Sequence, residues 1–258
     1  QAVFCIDVRS EVYRRALESQ SAAIQTLGFA GFFGLPIAYA PAGSAYERPQ
    51  LPGLLAPALT VAEAESDDAL AARSAAFNRR ARWEGFGKKA PAAFGFVEAA
   101  GIGYALNLLR ESFLGADPAH PVNTHCGHDT RFELRRDGQV LDAAAQAGLV
   151  AGVLGAMTLT DSFAPVVLLA GHGSSTRNTP HAAGLDCGAC CGQTGEINVR
   201  VLAQVLNDDE VRAHLASDHG IAIPADTRFI PTLHDTTTDE LKLLQPLPDT
   251  DAPLNQWI

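Results

Sequence analysis

The sequence predicts an α/β fold, a parallel sheet carrying a large helical insertion. Three observations predict it. Ala2-Val3-Phe4 and Pro165-Val166-Val167-Leu168-Leu169-Ala170 have the length and apolar content of buried strands. Helical patterning follows each run, the strand–helix alternation typical of parallel sheets. Between Arg9 and His172 lies a long stretch that reads mostly as helix. At 258 residues and 47% hydrophobic, the chain can bury one large core or two modest ones.

Taken in order, a strand over 2–6 leads into a helix at about 10–20, with Ser10 as N-cap and Glu11 favourable in the first turn. A glycine- and phenylalanine-rich stretch over 28–34 precedes a second short strand, Ile37-Ala38-Tyr39-Ala40. Pro41 to Pro57 reads as loop. Helices are expected over 60–83 and over 91–114, the latter weakened by Gly95, Gly101 and Gly103. Residues 115–139 are polar and irregular, and 140–160 is a small-residue helix. After the strand at 165–170 come amphipathic helices over Glu196–Asn207 and Asp209–His219. Thr227–Leu233 is a further strand, which Pro231 demotes toward an edge. The tail from Pro246 is rich in proline and aspartate and is expected to extend over another part of a longer protein. No internal repeat is visible. The expected organisation is one domain, with a core of about 1–40 and 163–240 and an insertion of about 41–162.

Composition narrows the function. A formal charge of −10 argues against nucleic acid and against adsorption to anionic lipid. Five cysteines in a chain of this length do not form a secreted disulfide framework, and the cluster near 190 suits metal binding in a reducing compartment. Ala143 to Leu159 falls short of the ~20 strongly apolar residues a spanning helix needs, so no membrane crossing is expected. The chain opens at Gln1 and enters a strand almost at once, as an excised piece of a longer protein would.

The chemistry concentrates in Cys5-Ile6-Asp7-Val8-Arg9. On an extended strand the thiol, carboxylate and guanidinium would share one face, which suits a metal site with acid–base support. The plainer reading is a buried cysteine followed by a surface ion pair. Far downstream, the apolar strand runs into Gly171-His172-Gly173-Ser174, and Asp186-Cys187-Gly188-Ala189-Cys190-Cys191 follows. Ligands gather beyond the carboxyl ends of parallel strands, so Cys5 and His172 can meet there, with a cysteine of the later cluster. Cys187, Cys190 and Cys191 all remain candidates, since Cys187-x-x-Cys190 is itself zinc-knuckle spacing. Thiol and imidazole donors select zinc over magnesium or calcium. His125, Cys126 and His128 form a second cluster that reads more simply as a polar loop. His234 and Asp235 follow the last strand and could line the pocket or pin a loop. The His172-Gly-Ser174 run lacks the Gly-x-Ser-x-Gly elbow of a serine hydrolase.

Cys5-x-Asp7-x-Arg9 resembles the Cys-x-Asp-x-Arg motif of β-type carbonic anhydrases. Together with Gly171-His172-Gly173-Ser174, Leu185-Asp186-Cys187-Gly188-Ala189-Cys190 and Leu233-His234-Asp235-Thr236-Thr237-Thr238-Asp239-Glu240, it resembles the DabA family, across nearly the whole chain. The resemblance implies a β-carbonic-anhydrase-like core and Zn²⁺ held by Cys5, His172 and Cys187. It implies that Asp7 either bonds Arg9 or takes the fourth metal position, these two being the catalytic residues. The implied reaction is energy-coupled hydration of CO₂ to bicarbonate. The implied partner is a DabB-like multi-spanning membrane cation-transporting subunit, with this chain peripheral on the cytoplasmic face of the cell inner membrane. The alternatives are a structural zinc module without catalysis and a free-standing β-type carbonic anhydrase. One departure is plain: His172 and Cys187 stand fifteen positions apart, much farther than in simple β-carbonic anhydrases.

Overall fold

The chain's computed structural model describes residues 1–7, 9–42, 44, 46–64, 67–89, 91, 93–114, 130–175, 184–185, 187–190 and 192–246. The first sheet has the order β10-β9-β8-β1-β2, built from β1 (Ala2–Cys5), β2 (Thr26–Phe29), β8 (Val166–Gly173), β9 (Arg228–Asp235) and β10 (Glu240–Leu243). All its pairings are parallel except β9 with the short edge strand β10. The α/β expectation therefore holds, with β8 at the centre between β9 and β1.

Helix α1 (Ser10–Gln20) connects β1 to β2 and covers one face of this sheet, where Tyr13 and Leu17 pack on Ala2, Phe4 and Ala170. The other face carries the main core. Val3, Cys5, Val167, Leu169 and Phe229 meet α4 (Ala143–Ala156), α5 (Glu196–Leu206) and α6 (Asp209–His219) there. Aspartates cap two of these helices: Asp142 accepts from the Ala145 N–H, and Asp208 from those of Glu210 and Val211.

The inserted region is not all helix. Strands β4 (Arg48–Gln50), β5 (Leu59–Glu63), β6 (Phe132–Arg136) and β7 (Gln139–Val140) join β3 (Ile37–Ala40) in a second sheet of order β4-β3-β5-β6-β7. The stretch read as helix from 60 begins as a strand. Its Leu59, Val61 and Glu63 are buried in alternation, a period-two pattern hidden by the alanines that follow. Helix α2 (Asp67–Lys88) starts only after it, tied back by a buried Arg73–Glu63 ion pair to which the Tyr39 hydroxyl donates. Helix α3 (Ala93–Leu114) runs unbroken through its three glycines and packs on α2 through Trp83, Phe86, Phe96 and Tyr104.

Pro231 does not put β9 at an edge. Strand β10 pairs only with Thr232–Asp235, so the missing N–H falls just outside that ladder, and the Pro231 carbonyl accepts from Leu244 at 3.0 Å.

Helix α5 lies between the sheets. Asn198 donates to the carbonyls of Phe32 and Gln50, and Gln204 bonds both backbone groups of Phe132. Its entry depends on two glycines in contact. A Cβ on Gly171 would stand 2.7 Å from the Gly195 carbonyl oxygen, and one on Gly195 would stand 3.1 Å from the Gly171 Cα. Gly171→Ala should therefore lower stability by ~1–3 kcal/mol, because backbone must move to admit the methyl. Gly152→Ala, on the open side of α4, should leave stability unchanged or raise it by up to about 1 kcal/mol. Thermal denaturation of the two variants separates close contact from a general glycine effect.

Candidate metal centre

Strands β1 and β8 pair with Phe4 opposite Ala170, so their carboxyl ends emerge side by side. This brings Cys5 Sγ to 2.9 Å from His172 Nδ1, and both side chains are buried. The same sulfur accepts the Phe32 N–H at 2.9 Å. That donor belongs to a turn, Gly31–Gly34, in which Phe32 and Phe33 both take left-handed backbone with φ 55°. Such backbone costs a bulky residue ~1–3 kcal/mol. Full burial of both rings and the Asn198 bond to the Phe32 carbonyl, 3.1 Å, offset it. The Phe32 ring then packs edge-on to His172 at 5.4 Å between centroids.

Past β8 the chain returns through a 3-10 turn, Gly188–Cys190. His172, Cys187 and Cys190 each offer one ligand atom, and these lie within 4.8 Å of one another. Tetrahedral zinc holds its sulfur and nitrogen donors roughly 3.5 Å apart, so a small contraction suffices. Thiols with imidazole are also the donor chemistry zinc prefers. The residues present thus fit the metal. The structure brings together Cys5 with His172, and His172 with Cys187 and Cys190; Cys191, His125, Cys126 and His128 lie outside the described residues.

Electrostatics agree with a cation site. Burial alone would depress the His172 imidazolium, but the thiols of Cys187, Cys190 and Cys5 outweigh it and hold the pKa well above its ordinary value. His172 Nδ1 meets Cys5 Sγ, while Nε2 is buried with no hydrogen-bond partner among the described residues. Interaction with His172 lowers the Cys187 thiol from 9.0 to about 7, against its own burial. Burial raises Cys190. Without a metal, a proton on His172 stands where positive charge is wanted.

Asp7 and Arg9 are placed differently from the expectation of one strand face. The strand ends at Cys5, and Arg9 has φ −115° and ψ −26°. Asp7 Oδ1 accepts the N–H groups of Arg9 (2.7 Å) and Ser10 (3.0 Å), and Ser10 Oγ accepts the Asp7 N–H at 3.2 Å. This reciprocal pair braces the turn that enters α1. Arg9 is the N-cap residue, without a side-chain cap, and Ser10, expected as the cap, is the first residue of the helix. Asp7 Oδ2 is buried and has no hydrogen-bond partner among the described residues. The Arg9 guanidinium turns to the carbonyls of Thr236 (2.8 Å) and Leu185 (3.4 Å). It ties the first strand's turn to two later loops.

His234 pairs in register with His172, yet its ring stacks on Tyr13 at 4.5 Å and its Nε2 lies 3.4 Å from Asp239 Oδ1. Asp235 accepts from Thr237, whose hydroxyl donates to the Ser175 carbonyl. The His234–Thr237 run thus pins the loop leaving β8. Sequence reasoning missed the Phe32 turn and Asn198. The only local signal was Gly31-Phe32-Phe33-Gly34 itself, two glycines bracketing residues too apolar for an exposed loop.

A family model described as probable inorganic carbon transporter subunit DabA matches residues 1–255. The chain belongs to this family. Proteins named probable inorganic carbon transporter subunit DabA from Marinomonas sp. and Hydrogenovibrio crunogenus are each 50% identical to it, over 100% of this chain and 31% of theirs. One from Burkholderia multivorans is 49% identical over 94% of this chain and 29% of its own length. The chain spans about a third of the length of these DabA relatives. No solved structure matches it.

Two outcomes follow from the geometry. In the metal-free chain, alkylation of Cys187 should rise with pH around a midpoint near 7, while Cys190 reacts only at higher pH. Mass mapping of labelled peptides across pH reads both. Asp7→Ala should cost about 1–2 kcal/mol in denaturant unfolding by leaving the Arg9 and Ser10 N–H groups without that acceptor, and Asp7→Asn should recover most of it.

Proposed function

We propose that this chain is the metal-bearing part of an inorganic carbon transporter subunit, holding one zinc ion through Cys5, His172 and Cys187 and hydrating CO₂ to bicarbonate there. Two contacts at the carboxyl edge of a parallel sheet support the reading: Cys5 meets His172, and His172 groups with Cys187 and Cys190. The family's name supports the carbon-uptake role. On this reading the core, about 1–40 and 163–240, is β-carbonic-anhydrase-like, and about 41–162 is inserted into it.

Zinc bound there would supply Lewis-acid activation of water toward CO₂. The chain's own residues supply orientation. Two backbone N–H groups fix Asp7 Oδ1, so the carboxylate cannot rotate, and its buried Oδ2 is free to accept a hydrogen bond from the attacking water. Arg9 acts as a positioning residue, holding the loops at 185 and 236 around the site. Phe32 and the core beneath exclude bulk water from Cys5 and His172.

No helix among the described residues is long and apolar enough to cross a membrane. With a charge of −10, the route to a membrane is through protein. The partner proposed is a DabB-like multi-spanning cation-transporting subunit that holds the full protein on the cytoplasmic face of the inner membrane and couples hydration to ion flow. A second reading, a structural zinc module, is favoured by the number of thiols at the site, since closed structural sites are thiol-rich.

Elemental analysis should find about one zinc per chain, lost on replacing Cys5, His172 or Cys187 with alanine. In the full-length family protein, Asp7→Ala and Arg9→Ala should keep zinc yet abolish support of growth in ambient air. Growth without loss in either variant rejects the catalytic assignment and leaves the structural module.

A further inference from the structure

We propose that the α2–α3 hairpin is a docking arm, covered in the full-length protein by a helix from the remainder of the same polypeptide. On α3, Ile102, Leu106, Leu109 and Phe113 are each more than half exposed. Their spacing of four, three and four places them in one stripe along the helix, the pattern of a face that packs on another helix. A different side of α3 is already used, where Phe96 packs on Trp83 and the Tyr104 hydroxyl accepts from its indole at 3.2 Å. The glycines of α3 fit the same picture. Glycine weakens a helix relative to alanine, and a Cβ at Gly95, Gly101 or Gly103 would meet nothing within 4 Å. Nothing among the described residues needs them there, whereas a second helix brought close to the α3 backbone does.

Length chooses the occupant. The DabA relatives are about three times as long as this chain, so most of their polypeptide lies outside the part described. A segment tethered to the stripe meets it at an effective concentration on the order of millimolar, ahead of any separate chain. Lipid fits less well. The chain carries −10, and no helix among the described residues is long and apolar enough to cross a membrane. Charge then describes the rim of the contact. Between Ala69 and Arg110 seven arginines and lysines stand against two glutamates, the reverse of the chain's overall balance. Arg79 and Arg82 line an open groove on α2 with Asn78, Trp83 and Phe86. The docking helix therefore carries an apolar face bordered by carboxylates. The inference does not depend on the metal.

Photo-crosslinking in the full-length family protein tests it. The photoreactive residue p-benzoylphenylalanine, placed at Ile102 or at Phe113, is irradiated both in cells and in the purified subunit. Mass mapping should find α3 joined to one segment of the same polypeptide outside this chain, in both settings. That segment should be apolar on one face and carry Asp or Glu beside it. Gly103→Leu, which has open space here, should lower the yield at Ile102 several-fold with an unchanged circular dichroism spectrum. Arg79→Glu combined with Arg82→Glu should lower it too. Capture of a second copy, of a membrane subunit or of lipid in place of that segment overturns the inference and names the occupant instead. Capture only of residues within this chain overturns it, and so does no capture with α3 amides exchanging as an open helix. Undiminished capture in Gly103→Leu rejects the close helix–helix contact and with it the inference.

Discussion

Backbone contact between Gly171 and Gly195 is the constraint on which the rest of the structure hangs. Helix α5 starts against β8 one residue before His172, and the Gly195 N–H donates to the His172 carbonyl at 2.8 Å. That approach fixes the histidine's main chain and sets the height of the helix above the sheet. From there Ile197, Val201, Leu202 and Val205 fall into the core, while Asn198 and Gln204 reach the second sheet. Push α5 away, and both the inter-sheet core and the turn carrying Phe32 lose their support. The site is therefore not an addition to the fold's surface; its geometry is set by the same packing that holds the sheets together.

The thiol of Cys5 shows how tightly stability and chemistry are joined. It is buried, yet it faces a main-chain donor delivered by a strained left-handed turn and an imidazole delivered by the next strand. A turn that costs energy to form persists because Asn198 and two buried rings over-determine it, as at many functional sites. Asp7 makes the same economy on the other side, with one oxygen serving the helix and the other unspent.

Much of this was legible in the sequence because it depends on local pattern. The apolar runs before Cys5 and His172 announce buried strands, and a parallel sheet puts their ends together without further information. Helices α5 and α6 lie where their amphipathic patterning put them, and α4 lies within the small-residue stretch expected to be helical. The second sheet was not legible: β5 runs into an alanine-rich helix, and β4 carries a proline, so pairing partners brought from elsewhere decide both. The place of Asp7 in the turn before α1 was hidden because alternation on a strand and a turn after a strand share the same letters. The grouping of Cys190 with His172 was open from spacing and required coordinates.

Cys5 and His172 are made far apart in time. Cys5 and His172 are 167 positions apart, and at typical ribosomal rates roughly ten to thirty seconds separate their emergence. During that interval β1 can pair with β2, only two dozen residues on, but its other edge has no partner and the Cys5 thiol has no imidazole. On the proposed metal reading, loading would come late in the life of each molecule, after β8 inserts beside β1. A chaperone or quality-control protease could read that unclosed edge, so on that reading metal content would report how many copies finished folding as much as how much metal was supplied.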